Sequence, residues 1–190
     1  MAARKSAAKK AVGKSLTPKV SRPLMQGYGL PKDEKGLLPW KWAEQRLKQS
    51  HNYWITTVKP EGTPHTMVVW GLWLDGAFLF STGSQSRKAR NLAENEACVV
   101  CNEHAHEAVI IEGVAGLASL PVRREFLKKY QRKYNFDMAS MKKDILSMKE
   151  PVFAVRPRVA FGLYEKKFQS SATRWTFTGQ VSSHSFPAAN

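Results

Sequence analysis

Residues 80–92, FSTGSQSRKARNL, hold the densest chemistry in the chain. Ser81 and Thr82 end a strand-like run, a small loop of Gly83, Ser84 and Ser86 follows, and a helical run opens on Arg87 and Lys88. A helix N-terminus carries partial positive charge and favours an acid there by about 0.3–1 kcal/mol. Two cations in that first turn are out of place unless an anion joins them. Open backbone amides, hydroxyls and cations together suit a phosphate. The same residues suit a plain helix with Ser86 as N-cap and two solvated bases, and local chemistry alone leaves both readings open.

Cys98 and Cys101 form a CxxC, with His104 and His106 behind them, a set that raises the question of zinc. On a strand, residues three apart face opposite sides, so the sulfurs do not converge. No helix opens at Cys98 to make a thioredoxin-type pair. Inert thiols and no metal are expected. The six tryptophans are Trp40, Trp42, Trp54, Trp70, Trp73 and Trp175. They suit core or dimer-interface packing, or, for one or two of them, the walls of a planar cofactor. The chain has no GxSxG elbow, Walker loop, GxGxxG fingerprint or HExxH helix. No carboxylate pair is spaced for acid–base work, so no catalytic side chain is named. An enzyme whose cofactor carries the chemistry needs none.

The elements that must position these groups follow from periodicity and punctuation. Trp40, Ala43 and Leu47 mark a helical face. Residues 53–59 and 65–74 read as strands around a turn at 60–62. Asp75-Gly76 is a hairpin signal returning residues 77–82. A short helix spans 86–94, strands 97–102 and 107–118 follow, and Pro121 opens a helical region over 123–134 and on toward Met148. Residues 152–164 and 173–177 close the strands. The fold class expected is α+β, a six-stranded antiparallel barrel with peripheral helices.

Seven of the 30 basic side chains, and no acid, fall in residues 1–22, which read as an unstructured basic tail. Such a tail is a solvated extension, a weak polyanion binder or a targeting segment. Residues 23–39 read as a linker or irregular arm, 40–178 as the folded domain and 179–190 as a flexible end. The longest apolar stretch, residues 67–80, is broken by Gly71, Asp75 and Gly76. A membrane span needs about 20 apolar residues, so none is expected. Two cysteines exclude a disulfide framework and suit a reducing, cytoplasmic setting.

Residues 40–177 resemble the split-barrel flavoproteins of the pyridoxamine-phosphate-oxidase-like superfamily, and within it the flavin- and deazaflavin-dependent reductases. The carriers are WKWAEQRLKQSHNYWITTVKPEGTPH, VVWGLWLDGAFLFSTGSQSRKARNL, AVIIEGVAGL and PVFAVRPRVAFGLYEKKFQSSATRWTF. The resemblance implies a six-stranded split barrel, a homodimer, and FMN in clefts between subunits, with a deazaflavin coenzyme as the alternative. It implies that Ser86, Arg87 and Lys88 hold the phosphate, with Ser81 and Thr82 beside them. It also implies that Met67, Val68, Val69 and Trp70 run along the ring edge and that Trp175 reaches the cofactor. The activity implied is hydride transfer between the flavin and a small planar acceptor. The superfamily also hosts non-catalytic flavin or haem binders. The Arg…Leu-Lys strand and the Arg-Leu-x-Pro ending of true pyridoxamine-phosphate oxidases are replaced here by TMVVW and SFPAAN. Production of pyridoxal phosphate is therefore not expected.

Overall fold

A computed structural model describes residues 17–178. The readings of residues 1–16 as a loose tail and of 179–190 as a flexible end lie outside the described residues. In chain order the elements are β1 (Lys19–Ser21), α1 (Trp40–Gln49), β2 (Asn52–Val58), β3 (Pro64–Trp70), β4 (Leu72–Leu74) and β5 (Ala77–Ser81). Then come α2 (Arg87–Glu94), β6 (Ala97–Asn102), β7 (Glu107–Leu117), α3 (Leu120–Tyr134) and α4 (Ala139–Leu146). The last are β8 (Val152–Tyr164), a 3₁₀ turn (Glu165–Lys167), α5 (Phe168–Ser171) and β9 (Thr173–Thr176). Among the described residues no helix is long and apolar enough to cross a membrane.

Every strand pairing is antiparallel. One path runs β1-β9-β8-β7-β6-β2-β3, and β5 joins β4 to β8. The pairings form a ring. β2 pairs with β3, the chain passes through Gly71 into β4, β4 pairs with β5, and β5 pairs with β8. From β8 the ladder returns through β7 and β6 to β2. A sheet closed on itself leaves few bare edges.

The sheet counts nine strands where six were expected. Gly71 divides the expected 65–74 strand in two, because β3 and β4 pair on opposite sides of the break. β9, expected over 173–177, gains β1 as an unexpected partner, and the two form a flap beside the second half of β8. β1 also revises the reading of residues 17–22 as part of a tail. Val20 packs against the core, and the Arg22 guanidinium donates to the carbonyls of Asp33, Lys35 and Ser170 at 3.0, 2.6 and 2.6 Å. Basic residues order here because backbone carbonyls take the charge.

The Asp75-Gly76 hairpin forms as expected, with φ of +49° and +76°, the double positive pair that a type I′ turn needs. The helical region after Pro121 ends at Asn135, left-handed at φ +47°, and restarts as α4. β5 is buried on both faces. Phe78 and Phe80 fill the barrel with Tyr53, Trp73 and Trp175, while Ala77 and Leu79 pack under α3 and α4 with Phe126 and Ile145. A strand covered on both sides needs no polar alternation, and its sequence, AFLFS, shows none.

Gly162 lets Trp175 into this core: a Cβ there would stand 2.3 Å from the indole Cη2. Gly162→Ala should therefore cost about 1–3 kcal/mol through overpacking, read as a lower urea midpoint at unchanged slope. A wild-type midpoint would mean that Trp175 has room to move.

Candidate functional site

β5 ends at Ser81, paired with Val152 at the start of β8, and its hydroxyl donates to the Pro151 carbonyl at 3.0 Å. The chain then turns, with the Ser86 amide on the Gly83 carbonyl at 2.9 Å, and enters α2. Ser86 is the N-cap, as expected. Its Oγ accepts from the Ala89 amide at 3.1 Å and from the Thr82 hydroxyl at 3.0 Å. With two bonds accepted, its own proton stays free to donate outward. The Arg90 amide donates to the Ser86 carbonyl, and as the first two helical positions the amides of Arg87 and Lys88 have no acceptor among the described residues.

The helix is tied down from behind. Buried Asn91 donates from Nδ2 to the Thr57 hydroxyl of β2 at 2.9 Å, and Ala89 and Leu92 join the barrel core. Arg87 is exposed and Lys88 half-buried, and neither side chain has a hydrogen-bond or ion-pair partner among the described residues. Burial lowers the Lys88 ammonium below its ordinary value, the effect of a charge removed from water without a counterion. Ser81, Thr82, Ser86, Arg87 and Lys88 thus lie together at the strand end, loop and first turn of α2, with the Ser81 and Thr82 hydroxyls donating inward and the Ser86 hydroxyl and the two cations left without acceptors or counter-ions among the described residues. The chemistry of this cradle fits an oxyanion such as a phosphate. On its rim the Glu150 carboxylate would lie 3.9 Å from a Cβ on Gly83.

Met67, Val68, Val69 and Trp70 form the end of β3, the edge of the ladder, and β3 adjoins β5, which leads into the cradle. Val69 is buried opposite Tyr53, whereas Met67, Val68 and Trp70 are 46%, 43% and 37% exposed. Across the outer surface, strand register sets Val68, Trp54, Cys101, Ile110 and Phe161 in one row. Trp54 and Val68 in this row are exposed, and Cys101, Ile110 and Phe161 are half-buried. Cys98, by contrast, is buried in the core, so the two thiols face opposite sides, as strand alternation requires.

Trp175 is not brought to this surface. Its side chain is wholly buried, edge-on to Trp40 at 5.3 Å between ring centres. The family resemblance of the closing SATRW block had implied that Trp175 reaches the cofactor. Gly162, which makes room for it, settles the side chain in the core.

A second cluster at the Gly71 break was not anticipated. Trp70 stacks on Tyr134 at 4.6 Å and 4°. The Tyr134 hydroxyl accepts from the Gly71 amide at 2.8 Å and lies 2.8 Å from the Gly71 and His51 carbonyls. Lys133 reaches the same spot, donating to the Gly71 carbonyl at 3.0 Å and to the Tyr53 hydroxyl at 2.8 Å. Trp70 Nε1 donates to Asn52 Oδ1 at 3.1 Å, so the indole plane is fixed. Tyr130 and Tyr134, four apart on a helix, were the visible signal; their partner at Gly71 was not.

Burial holds the Lys133 ammonium down to about 8 from an ordinary 10.5. Between these values the unfolded chain holds the extra proton, so this group makes stability rise with pH. Burial pushes the Tyr53 and Tyr134 phenols up, so above their ordinary 10.0 the folded chain holds the extra protons and stability falls. In urea titrations from about pH 7 to about pH 10, wild type should gain on Lys133→Met as the pH passes 8. Parallel curves would mean that the ammonium is solvated like any other.

Comparison with known proteins places this geometry. The family model described as pyridoxamine 5'-phosphate oxidase matches residues 40–164. No curated protein gives a match. A conserved hypothetical protein from Mycobacterium tuberculosis superposes with a TM-score of 0.60 at 19% identity, over 68% of this chain and 87% of that one. An F420 reductase gives 0.51 at 20% identity, over 62% and 94%. A heme binding protein from Mycobacterium smegmatis gives 0.54 at 18%, over 66% and 55%. At these identities the likeness is one of fold. Since β2 through β8 all lie inside the matched span, the closed ring, the cradle and the break at Gly71 are features of a chain that belongs to the pyridoxamine 5'-phosphate oxidase-like split-barrel family.

Proposed function

We propose that the protein is an FMN-binding oxidoreductase on a six-stranded split barrel, working as a homodimer with a cofactor at each subunit interface. The observation that carries this reading is the cradle. Among the described residues, the Arg87 and Lys88 amides, the Ser86 hydroxyl proton and the Arg87 and Lys88 side chains have no acceptor or counter-ion, and all belong to the N-terminal end of α2. A phosphate-bearing tail satisfies all of them at once.

When bound, the flavin would supply hydride transfer to the acceptor. This chain's residues do the rest. Ser86, Arg87 and Lys88 hold the phosphate, and Ser81 and Thr82 brace the loop. Met67, Val68 and Val69 present the edge of β3 to the ring. Trp70, its plane fixed by Tyr134 and Asn52, offers a flat neighbour to a small planar acceptor. The outward row through Trp54 supports pairing with a second copy, since two such faces exclude water from each other. The Trp175 side chain takes no part. Two free cysteines suit a reducing, cytoplasmic setting.

The second reading is a deazaflavin-dependent reductase, favoured by the F420 reductase among the neighbours. A further possibility on the same barrel is a non-catalytic flavin or haem binder, as the heme binding neighbour illustrates. Outside the barrel, the basic residues before β1 suit weak contact with polyanions.

The deciding experiment is an absorbance spectrum followed by titration with FMN and with the deazaflavin coenzyme. FMN should bind, and Lys88→Ala should weaken it by about 1.5–3 kcal/mol, tenfold or more in Kd. Binding of the deazaflavin alone would select the second reading. Binding of neither, or an unchanged Kd in Lys88→Ala, would remove the cradle assignment. Sedimentation of Trp54→Glu should show monomer where wild type shows dimer, because the charge would be buried unpaired.

A further inference from the structure

At the far end of β8 from the cradle, the arm of residues 23–39 lies over Tyr164 and α5 and leaves a cleft of about 600 Å³. β8 has 13 residues, so at roughly 3.3 Å per residue its ends stand on the order of 40 Å apart. The cradle sits at the Val152 end and the cleft at the Tyr164 end, so within one chain they are separate places. The volume lies in the range of small-molecule sites.

The walls are built, not draped. Arg22 spans five backbone carbonyls, those of Asp33 and Lys35 on the arm and of Gln169, Ser170 and Ala172 at α5. The Leu38 amide donates to the Thr173 hydroxyl at 2.8 Å. Gly36 has φ +88°, and a Cβ there would meet the Ser170 carbonyl oxygen at 2.8 Å. The arm therefore rests directly on the α5 backbone.

The lining carries two lysines and one acid. Lys35 stands on the arm and Lys167 on the 3₁₀ turn, and neither ammonium has a partner among the described residues. One oxygen of the acid, Asp33 Oδ1, is engaged: it accepts the Lys35 amide at 3.0 Å and lies 3.9 Å from Arg22. Trp42 contributes an indole whose other neighbour is the Arg46 guanidinium, 4.1 Å from the ring centre. Arg46 is itself anchored to Glu107 at 2.6 Å. Leu38 and the Tyr164 phenol complete the wall.

We propose that this cleft is a second ligand site and that it takes a small aromatic carboxylate. The ring lies against Trp42 and Leu38, and the carboxylate lies between Lys35 and Lys167. Two cations, one on the arm and one on the 3₁₀ turn, reward an oxyanion, and the aromatic and aliphatic lining rewards an attached ring over a bare inorganic ion.

The test is calorimetric titration of the full chain with 2-naphthoate. Saturable binding is expected, about tenfold weaker or more in the double variant Lys35→Gln/Lys167→Gln. Lys41→Gln/Lys48→Gln, two α1 lysines outside the cleft, should bind as wild type does, and so should Lys88→Ala. Neutral 2-naphthalenemethanol should bind about tenfold more weakly than the carboxylate. Urea midpoints equal to wild type would show that the variants are folded. No saturable binding, an unaffected cleft variant, an equal loss in the α1 variant, or a loss that follows Lys88 would each overturn the proposal.

Discussion

The barrel closes because the chain can change sides at Gly71. Before it, the strand belongs to β2; after it, to β5. Any side chain at this position would collide with the Phe78 ring at 2.3 Å. A strand that changes partners leaves backbone groups without a ladder, and unpaired buried amides and carbonyls are costly. Here α3 supplies the missing partners: Tyr134 serves the amide, and Lys133 the carbonyl. The helix is thus part of the closure and more than a cover. It also places Tyr134 under Trp70, so one set of contacts sets both the topology and the surface of the proposed acceptor site.

The cradle follows from the same closure. β5 is held on one side by β4 and on the other by β8, so its last residue, Ser81, has a fixed position. From there a short loop and one N-cap orient α2, and Asn91 pins the helix to β2. The hydroxyls nearest the strand spend their protons inside the protein, on Pro151 and on Ser86. What remains directed outward is donors without acceptors. Two cations at a helix N-terminus, unfavourable in an isolated helix, make sense once an anion is counted among their neighbours.

Legibility varied with the range of the interaction. Asp75-Gly76, the Ser86 cap and the opposite faces of Cys98 and Cys101 were legible because each depends on a few adjacent residues. The conflict between charge and helix dipole at Arg87 and Lys88 was legible locally, and by itself it left the anion site and a plain helix start both open. The break at Gly71 was hidden, since a single glycine in an apolar run looks like any other until Phe78 and Tyr134 are folded against it. Trp175 was misplaced for the same reason: its pocket is Gly162, on another strand. The ordering of Arg22 was hidden too, because its partners are backbone carbonyls as far away as Ala172, and carbonyls carry no signature in a sequence.

The Arg22 staple and the three-residue β1 also bear on how the chain tolerates being shortened. β9 carries Trp175 into the core, and among the described strands β1 pairs with its outer edge. A protease or a designer that treated every basic residue up to position 22 as dispensable would uncover that edge and release the arm from α5. The loss would appear less as unfolding than as stickiness. A bare strand edge invites the matching edge of another molecule, and the chain would then pair with itself by the wrong face.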